Sequence, residues 1–321
     1  MSRVVVTGAN GFVGDALCRT LLERGHAVTG LVRRAGTCAP GVDEWVFDRA
    51  DFEGIDEAWP ASLEARCVVH LAARVHVMHD NAVDPLAAFR ASNVQGALRV
   101  ARAAQRHGVQ RFVFVSSIKA LGETDPGRPL REDDPALPQD AYGQSKREAE
   151  LALHRFGREQ GLDVVVVRPP LVYGPGVKAN FLQLMRAIAA GLPLPLGALA
   201  AQRSLVYVGN LADALAECAL DARAAHGCFH VADGEDTTTT ELARSIGRHL
   251  RKPARLVPVP SGCLRLMGRM TGRAPQIERL TGSLRVDASR LRSTLGWQPP
   301  YSFEEGLAAT ARWYLTSRRS R

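Results

Sequence analysis

Tyr142 and Lys146 stand four residues apart in "DAYGQSK", the spacing that puts two side chains on one face of a helix. A phenol titrates near pH ~10 and exchanges protons poorly at neutral pH. A lysine cation beside it stabilises the phenolate and draws its pKa toward the working range. Ser116 and Ser117 close the apolar run "RFVFVSS" over 111–117, at the end of a strand where open parallel sheets present their ligands. Proton transfer at a bound oxygen is the chemistry these residue types offer together. Near the N-terminus, "TGANGFVG" spaces Gly8, Gly11 and Gly14 as G-x-x-G-x-x-G, with Phe12 and Val13 between the last two. It follows a strand-like run directly and opens a helix-like one. Glycine lets the backbone turn sharply and approach a pyrophosphate, which then meets the free N–H groups of the helix N-terminus.

An acid about twenty residues beyond such a turn accepts the ribose hydroxyls of NAD. Here the second apolar run ends "GLVRRAG", with Val32 at the acid's place and Arg33 and Arg34 after it. A guanidinium pairs with the 2′-phosphate of NADP, so NADP(H) is expected, with NAD as the alternative; either arginine can make the contact. Asp48, in "VFDRAD", is a candidate for the adenine edge.

The elements that must position these residues are legible as alternating periods. Apolar, β-branched runs occupy 3–8, 27–32, 67–72, 111–117, 163–169 and 228–233. Helix-like stretches lie between them: 14–25 carries Leu17, Leu21 and Leu22 on one face, and 85–108 begins on a proline and ends on a glycine. Asp140 is placed to cap the helix of Tyr142. Near-continuous apolar strands alternating with helices imply a doubly wound α/β fold, its parallel sheet covered on both faces. After about residue 170, segments rich in glycine and proline separate shorter elements. This rhythm predicts a dinucleotide-binding domain over 1–175 and a smaller C-terminal substrate domain over 176–321, with 205–235 packing back onto the first.

With 321 residues, 46% of them hydrophobic and 23% charged, the chain has the composition of a globular protein. Its formal charge of +8 favours anionic partners only as a long-range bias. No basic cluster is interleaved with aromatics, which argues against nucleic acid. The six cysteines are dispersed, as reduced thiols of a cytoplasmic protein would be. No leader and no run of membrane-spanning length is read. His70, His76 and His79 suggest a metal through "HVMH", but no carboxylate–histidine pattern completes a site, and none is expected. The apolar, basic "CLRLMGRM" (263–270) reads as a core or lid helix rather than a membrane contact.

With these motifs in view, the chain resembles an extended short-chain dehydrogenase/reductase of the nucleotide-sugar epimerase/dehydratase group over nearly its whole length. The segments that carry the likeness are "TGANGFVG", "HLAA" (70–73, with Leu71, Ala72 and Ala73), "NVQG" (93–96, opening on Asn93), "VSS" (115–117), "YGQSK" (142–146), "RPPLVYGPG" (168–176) and "RSLVYVGNLADAL" (203–215). The resemblance implies a Rossmann-type fold and a Ser–Tyr–Lys centre. Tyr142 would carry the proton, Lys146 would hold the nicotinamide ribose, and Ser117 rather than Ser116 would bind the reacting sugar oxygen. It places Leu71, Ala72, Ala73 and Asn93 beside the cofactor. Asn180 and Arg203 would contact the diphosphate of a UDP-sugar, with Arg279 as a further candidate. Asn180 as a helix cap and Arg203 as surface charge are the bland alternatives. A homodimer through helices 85–107 and 141–160 is also implied.

Two activities share this machinery: a 4-ketoreductase consuming NADPH in surface-polysaccharide precursor synthesis, and a 4-epimerase with tightly held NAD. The arginines after Val32 favour the ketoreductase, with the epimerase as alternative. A 4,6-dehydratase is disfavoured, because Ile118 and Lys119 stand where that group carries an Asp–Glu pair. A catalytically silent NADP-binding protein is the remaining class, and the joint presence of Ser117, Tyr142 and Lys146 argues against it.

Overall fold

The computed structural model describes residues 2–75, 84–272 and 274–319. His76 and His79 lie outside the described residues. The strands in chain order are β1 (Arg3–Thr7), β2 (Ala27–Val32), β3 (Asp43–Val46), β4 (Cys67–His70), β5 (Arg111–Val115) and β6 (Asp163–Arg168). They are followed by β7 (Leu171–Tyr173), β8 (Gln202–Tyr207), β9 (Cys228–His230) and β10 (Asp236–Thr238). The first helices are α1 (Phe12–Glu23), α2 (Pro85–Arg90), α3 (Ala97–Arg106), α4 (Ala141–Gln160), α5 (Ala179–Ala189) and α6 (Val208–Leu220). The C-terminal helices are α7 (Thr239–His249), α8 (Ser261–Met270), α9 (Ala274–Thr281), α10 (Ser289–Leu295) and α11 (Phe303–Arg319).

Seven strands form one parallel sheet in the order β3-β2-β1-β4-β5-β6-β9. Successive residues of its central strands are buried on opposite faces, which is why they read as unbroken apolar runs. Val4, Val6, Val113, Val115, Val165 and Val167 pack with Leu17 and Leu21 of α1 and Leu211 and Leu215 of α6. Val5, Val68, Phe112, Phe114, Val164 and Val166 pack with Ala101 of α3 and Leu153 of α4. β9, from beyond residue 205, returns to this sheet beside β6, and α6 lies against α1, where Arg24 pairs with Asp213 and, at 2.9 Å, with Glu217. A second, three-stranded sheet, β10-β8-β7, sits with α5, α7 and α11 over its own core around Tyr173, Phe181, Leu205 and Leu307.

Helix 85–108 runs unbroken to Arg106 but changes its winding on the way. A π-helical turn over Ala91–Gly96 separates α2 from α3, and it widens the backbone where Asn93 turns inward. No helix among the described residues is long and apolar enough to cross a membrane, and the six cysteines are free thiols.

Candidate active site and cofactor cleft

β1 lies between β2 and β4, so the chain leaves it toward one side of the sheet and later crosses to the other. The crevice beyond the carboxyl ends of β1 and β4 is therefore where a doubly wound sheet binds its ligand. Gly8 turns there with φ +69°, a conformation that disfavours any side chain. Gly11 is the N-cap of α1 and offers no side-chain cap, which leaves the first N–H groups of that helix to a ligand. Gly14 permits closure of the turn: a Cβ there would overlap the Gly8 carbonyl oxygen and stand 2.9 Å from the Ala9 Cα. Phe12 packs its ring toward the core of the second sheet and Val13 toward the core under the first, so their contribution at the turn is backbone.

The crevice is lined after β1 by Gly8, Asn10 and Gly11, and at the end of β2 by Leu31, Val32 and Arg33. Beyond β3 it takes in Phe47, Arg49, Ala50 and Phe52, and after β4 the segment Leu71 to Arg74, with Ser92 of the π turn. Arg33 and Arg34 are both exposed; Arg33 lines the crevice with no hydrogen-bond or ion-pair partner among the described residues, whereas Arg34 does not line it. Asp48 is exposed and absent from the lining, although both its neighbours take part. The sequence reading missed Phe47, Arg49, Phe52 and Ser92. The rings of Phe47 and Phe52 stack in parallel at 6.3 Å, a flat apolar wall that only the turn at Phe52, with φ +59°, creates. Glu44 was missed as well. Its carboxylate accepts from the N–H groups of Gly36, Thr37 and Cys38 at 2.6–2.9 Å and fixes the loop that follows the two arginines.

The loop after β4 is held from two sides. Thr7 Oγ1 accepts from the N–H groups of Leu71 and Ala72 at 3.2 and 3.1 Å and meets His70 Nδ1 at 3.0 Å. Burial pushes His70 down to about 3, with the Lys146 charge adding to it, so the ring is neutral and structural. Asn93 accepts from the Arg74 N–H at 2.8 Å and donates to the Arg74 carbonyl at 3.1 Å and to Ser145 Oγ at 3.0 Å. Asn93 thus acts on the cleft through the backbone of Arg74.

Beyond the cleft, Ser117 follows β5 and Tyr142 sits in the first turn of α4. Asp140 caps that helix by accepting from the Gly143 N–H at 2.7 Å. Ser117 is near enough to the Tyr142 phenol to favour its ionised form. Ser116 turns away and donates to Glu150 at 2.6 Å. Burial, and then the charge of Asp140, push the Tyr142 phenol up to about 12, while Ser117 pulls it down. Lys146, 2% exposed, donates to the Val115 carbonyl at 2.8 Å, and its Nζ lies 6.0 Å from the centre of the Tyr142 ring. Burial draws it down to about 7, opposed by Glu150 one turn along. In the free protein the pair is therefore poised with a protonated phenol and a lysine that titrates near neutrality. An added positive charge near the phenol would favour its ionisation.

Glu150 anchors this arrangement. It is fully buried and accepts from Arg168 through Nε at 2.8 Å and Nη2 at 2.7 Å, from Ser116, and from Arg147 at 3.1 Å. Removing one partner of a buried ion pair strands the other, at a cost of about 3–5 kcal/mol. Glu150→Ala is accordingly expected to lower unfolding stability in urea by that amount, and a loss below about 1 kcal/mol would show that water reaches Arg168.

The residues expected on the substrate side are divided. Arg203 on β8 is half-buried and donates to the Gly282 carbonyl at 3.0 Å; burial lowers its pKa and the charge of Glu123 raises it. Arg279 of α9 pairs with Glu123 and stands 3.8 Å from Asp140. Arg279 thus reaches Glu123 and Asp140, close to the start of the Tyr142 helix, whereas Arg203 is bonded to the Gly282 carbonyl. Asn180 lies exposed in the first turn of α5, whose N-cap is Lys178, so it does not cap that helix, and no described contact joins it to the arginines.

The model of the NAD dependent epimerase/dehydratase family matches residues 4–230. The chain belongs to that family. The glycine turn, the uncapped start of α1 and the lined crevice fit a nicotinamide dinucleotide. A protein of Vibrio cholerae called UDP-glucose 4-epimerase is 40% identical over 315 residues, 97% of this chain and 95% of that one. Another of that name, from Mycolicibacterium smegmatis, is 30% identical over 97% of this chain and 98% of its own. Among solved structures, the UDP-glucose 4-epimerase of Thermus thermophilus in complex with NAD superposes with a TM-score of 0.79. It is 28% identical and covers 98% of this chain and 99% of its own.

Proposed function

We propose that this chain is a 4-epimerase of UDP-hexoses that works with a retained NAD. The observation that carries this reading is the 40% identity, over 97% of the chain, to a protein called UDP-glucose 4-epimerase. It reverses the order of preference drawn from Arg33 and Arg34 alone. Bound in the cleft, NAD would supply a hydride acceptor that afterwards serves as donor. The chain's own residues do the rest. Ser117 and Tyr142 hold the C4 oxygen, and Tyr142 as phenolate takes the hydroxyl proton while the hydride leaves C4. The 4-keto sugar turns over, and Tyr142 returns the proton as the hydride comes back to the other face. Lys146, held beneath the phenol by the Val115 carbonyl, stabilises the phenolate. Arg203 and Arg279 supply cations for the diphosphate, and Asn180 a polar contact. We draw the boundary between the cofactor and substrate parts near residue 175, and pair two copies through α2, α3 and α4, where Leu151 is exposed. Incubating the purified protein with UDP-glucose and no added cofactor tests the reading. It predicts a mixture with the C4 epimer, and unchanged UDP-glucose would count against it.

One observation favours the NADPH-linked ketoreductase: Arg33 lines the crevice where a carboxylate would otherwise meet the ribose. A charge-assisted hydrogen bond contributes about 1.5–3 kcal/mol, or about 10–100-fold in affinity. Arg33→Asp is therefore expected to weaken NADPH by that factor in a fluorescence titration and to leave NADH unchanged or tighter. Equal effects on both would mean that Arg33 only faces water. NADPH binding the unaltered protein far more tightly than NADH, with oxidation of NADPH by a UDP-4-keto sugar, would restore the ketoreductase.

A further inference from the structure

Lys119 stands two residues beyond Ser117, on the 3-10 turn over Ile118–Ala120. Its ammonium sits between two carboxylates, 2.8 Å from Glu123 Oε1 and 2.7 Å from Asp140 Oδ2. Glu123 is 5% exposed and is shared with Arg279, and Asp140 is the N-cap of the helix that carries Tyr142 two residues later. The backbone is equally tight. The Lys119 N–H donates to Ser117 Oγ at 3.3 Å, and a side chain on Gly143 would overlap the Lys119 carbonyl oxygen. The start of α4 therefore presses directly on the turn that holds the serine.

We propose that Lys119 is a positioning residue for the proton transfer: its ammonium offsets part of the charge of Asp140 near Tyr142 and ties the serine-bearing turn to the start of the tyrosine helix. The inference rests on the reading of Tyr142 as the proton carrier. An unbalanced carboxylate near a phenol disfavours the phenolate, and a cation on that carboxylate removes the penalty. Among the described residues, the charged groups around Tyr142 are these. Asp140 lies before α4, Lys146 on α4 itself, Lys119 and Glu123 on the segment after β5, and Arg279 on α9. Arg74 stands behind Phe89, whose ring meets Tyr142 edge-on at 6.1 Å. Lys146 is committed to the Val115 carbonyl, and Arg279 is bonded to Glu123 with Asp140 at 3.8 Å. Lys119, at 2.7 Å, is a cation in direct hydrogen-bond contact with Asp140.

The test is the pH dependence of kcat, together with the near-ultraviolet absorbance titration of the Tyr142 phenolate, obtained as the difference from Tyr142→Phe. In Lys119→Met the rising limb of kcat is expected to move up by about one unit and the phenolate midpoint to move in the same direction, and Lys119→Arg is expected to restore both. Adding Asp140→Asn to Lys119→Met should bring them back to or below their original position, because asparagine still caps the helix but carries no charge. Asp140→Asn alone, which needs no folded Lys119 variant, should move them down. Loss of kcat in Lys119→Met with limb and midpoint unmoved, or a midpoint unmoved by Asp140→Asn, would overturn the proposal and leave Lys119 a simple tether. The absorbance titration needs no substrate, so it still decides the role of Lys119 if the protein proves inactive on UDP-hexoses.

Discussion

Tyr142→Phe is expected to lower kcat by about 10²–10⁴-fold, the usual contribution of a positioned general acid–base group, while the affinities for cofactor and nucleotide sugar stay within a few-fold. The substitution removes one oxygen and keeps the ring, so the edge contact with Phe89 survives. What is lost is the hydroxyl of a ring whose centre lies 6.0 Å from the Lys146 ammonium. Burial holds the phenol near 12 in the free protein, so the reactive phenolate forms more readily as pH rises, and activity should rise with pH until Tyr142 is ionised. Steady-state rates across pH check both statements. A Phe variant that keeps more than about a tenth of the rate would assign the proton to another group.

Gly14→Ala is expected to abolish retention of the dinucleotide on gel filtration, with the fold preserved by circular dichroism. The added Cβ meets the Gly8 carbonyl oxygen and Ala9. These are backbone and near-backbone atoms that cannot swing aside as a flexible side chain would. Overpacking of this kind costs about 1–3 kcal/mol. Relief by displacing α1 from the turn would break the register of N–H groups that face the pyrophosphate. If the whole cost falls on binding, affinity drops about 10–100-fold. An alanine variant that retains its cofactor would place the pyrophosphate elsewhere.

Much of this is legible in the amino-acid sequence. The helix of Tyr142 and the apolar strands stand where their periods predict, because strands buried on both faces leave little freedom in residue type. The breaks are local and polar. The apolar pattern of 85–108 is satisfied by one helix, and nothing in it announces that Asn93 will bond the backbone of Arg74 across 19 positions and open a π turn. β3 escaped notice because only Trp45 of its four residues is buried. Arg33 and Arg34 could not be told apart until the strand end placed Arg33 on the crevice. The Lys119–Glu123 spacing reads as an ordinary exposed pair. Only the approach of α9 and of the α4 cap turns it into a half-buried charge cluster near the phenol. Asp48 was chosen by type, while the cleft wall there is built from Phe47, Arg49 and Phe52.

The central claim is that a hydride leaves C4 of the sugar and returns to the same carbon. UDP-glucose carrying deuterium at C4, incubated with the purified protein and excess unlabelled NADH, tests it directly by mass spectrometry of the separated epimers. The account predicts that the C4 epimer forms with its deuterium retained. Loss of deuterium from the product, or its appearance in the added NADH, would contradict it.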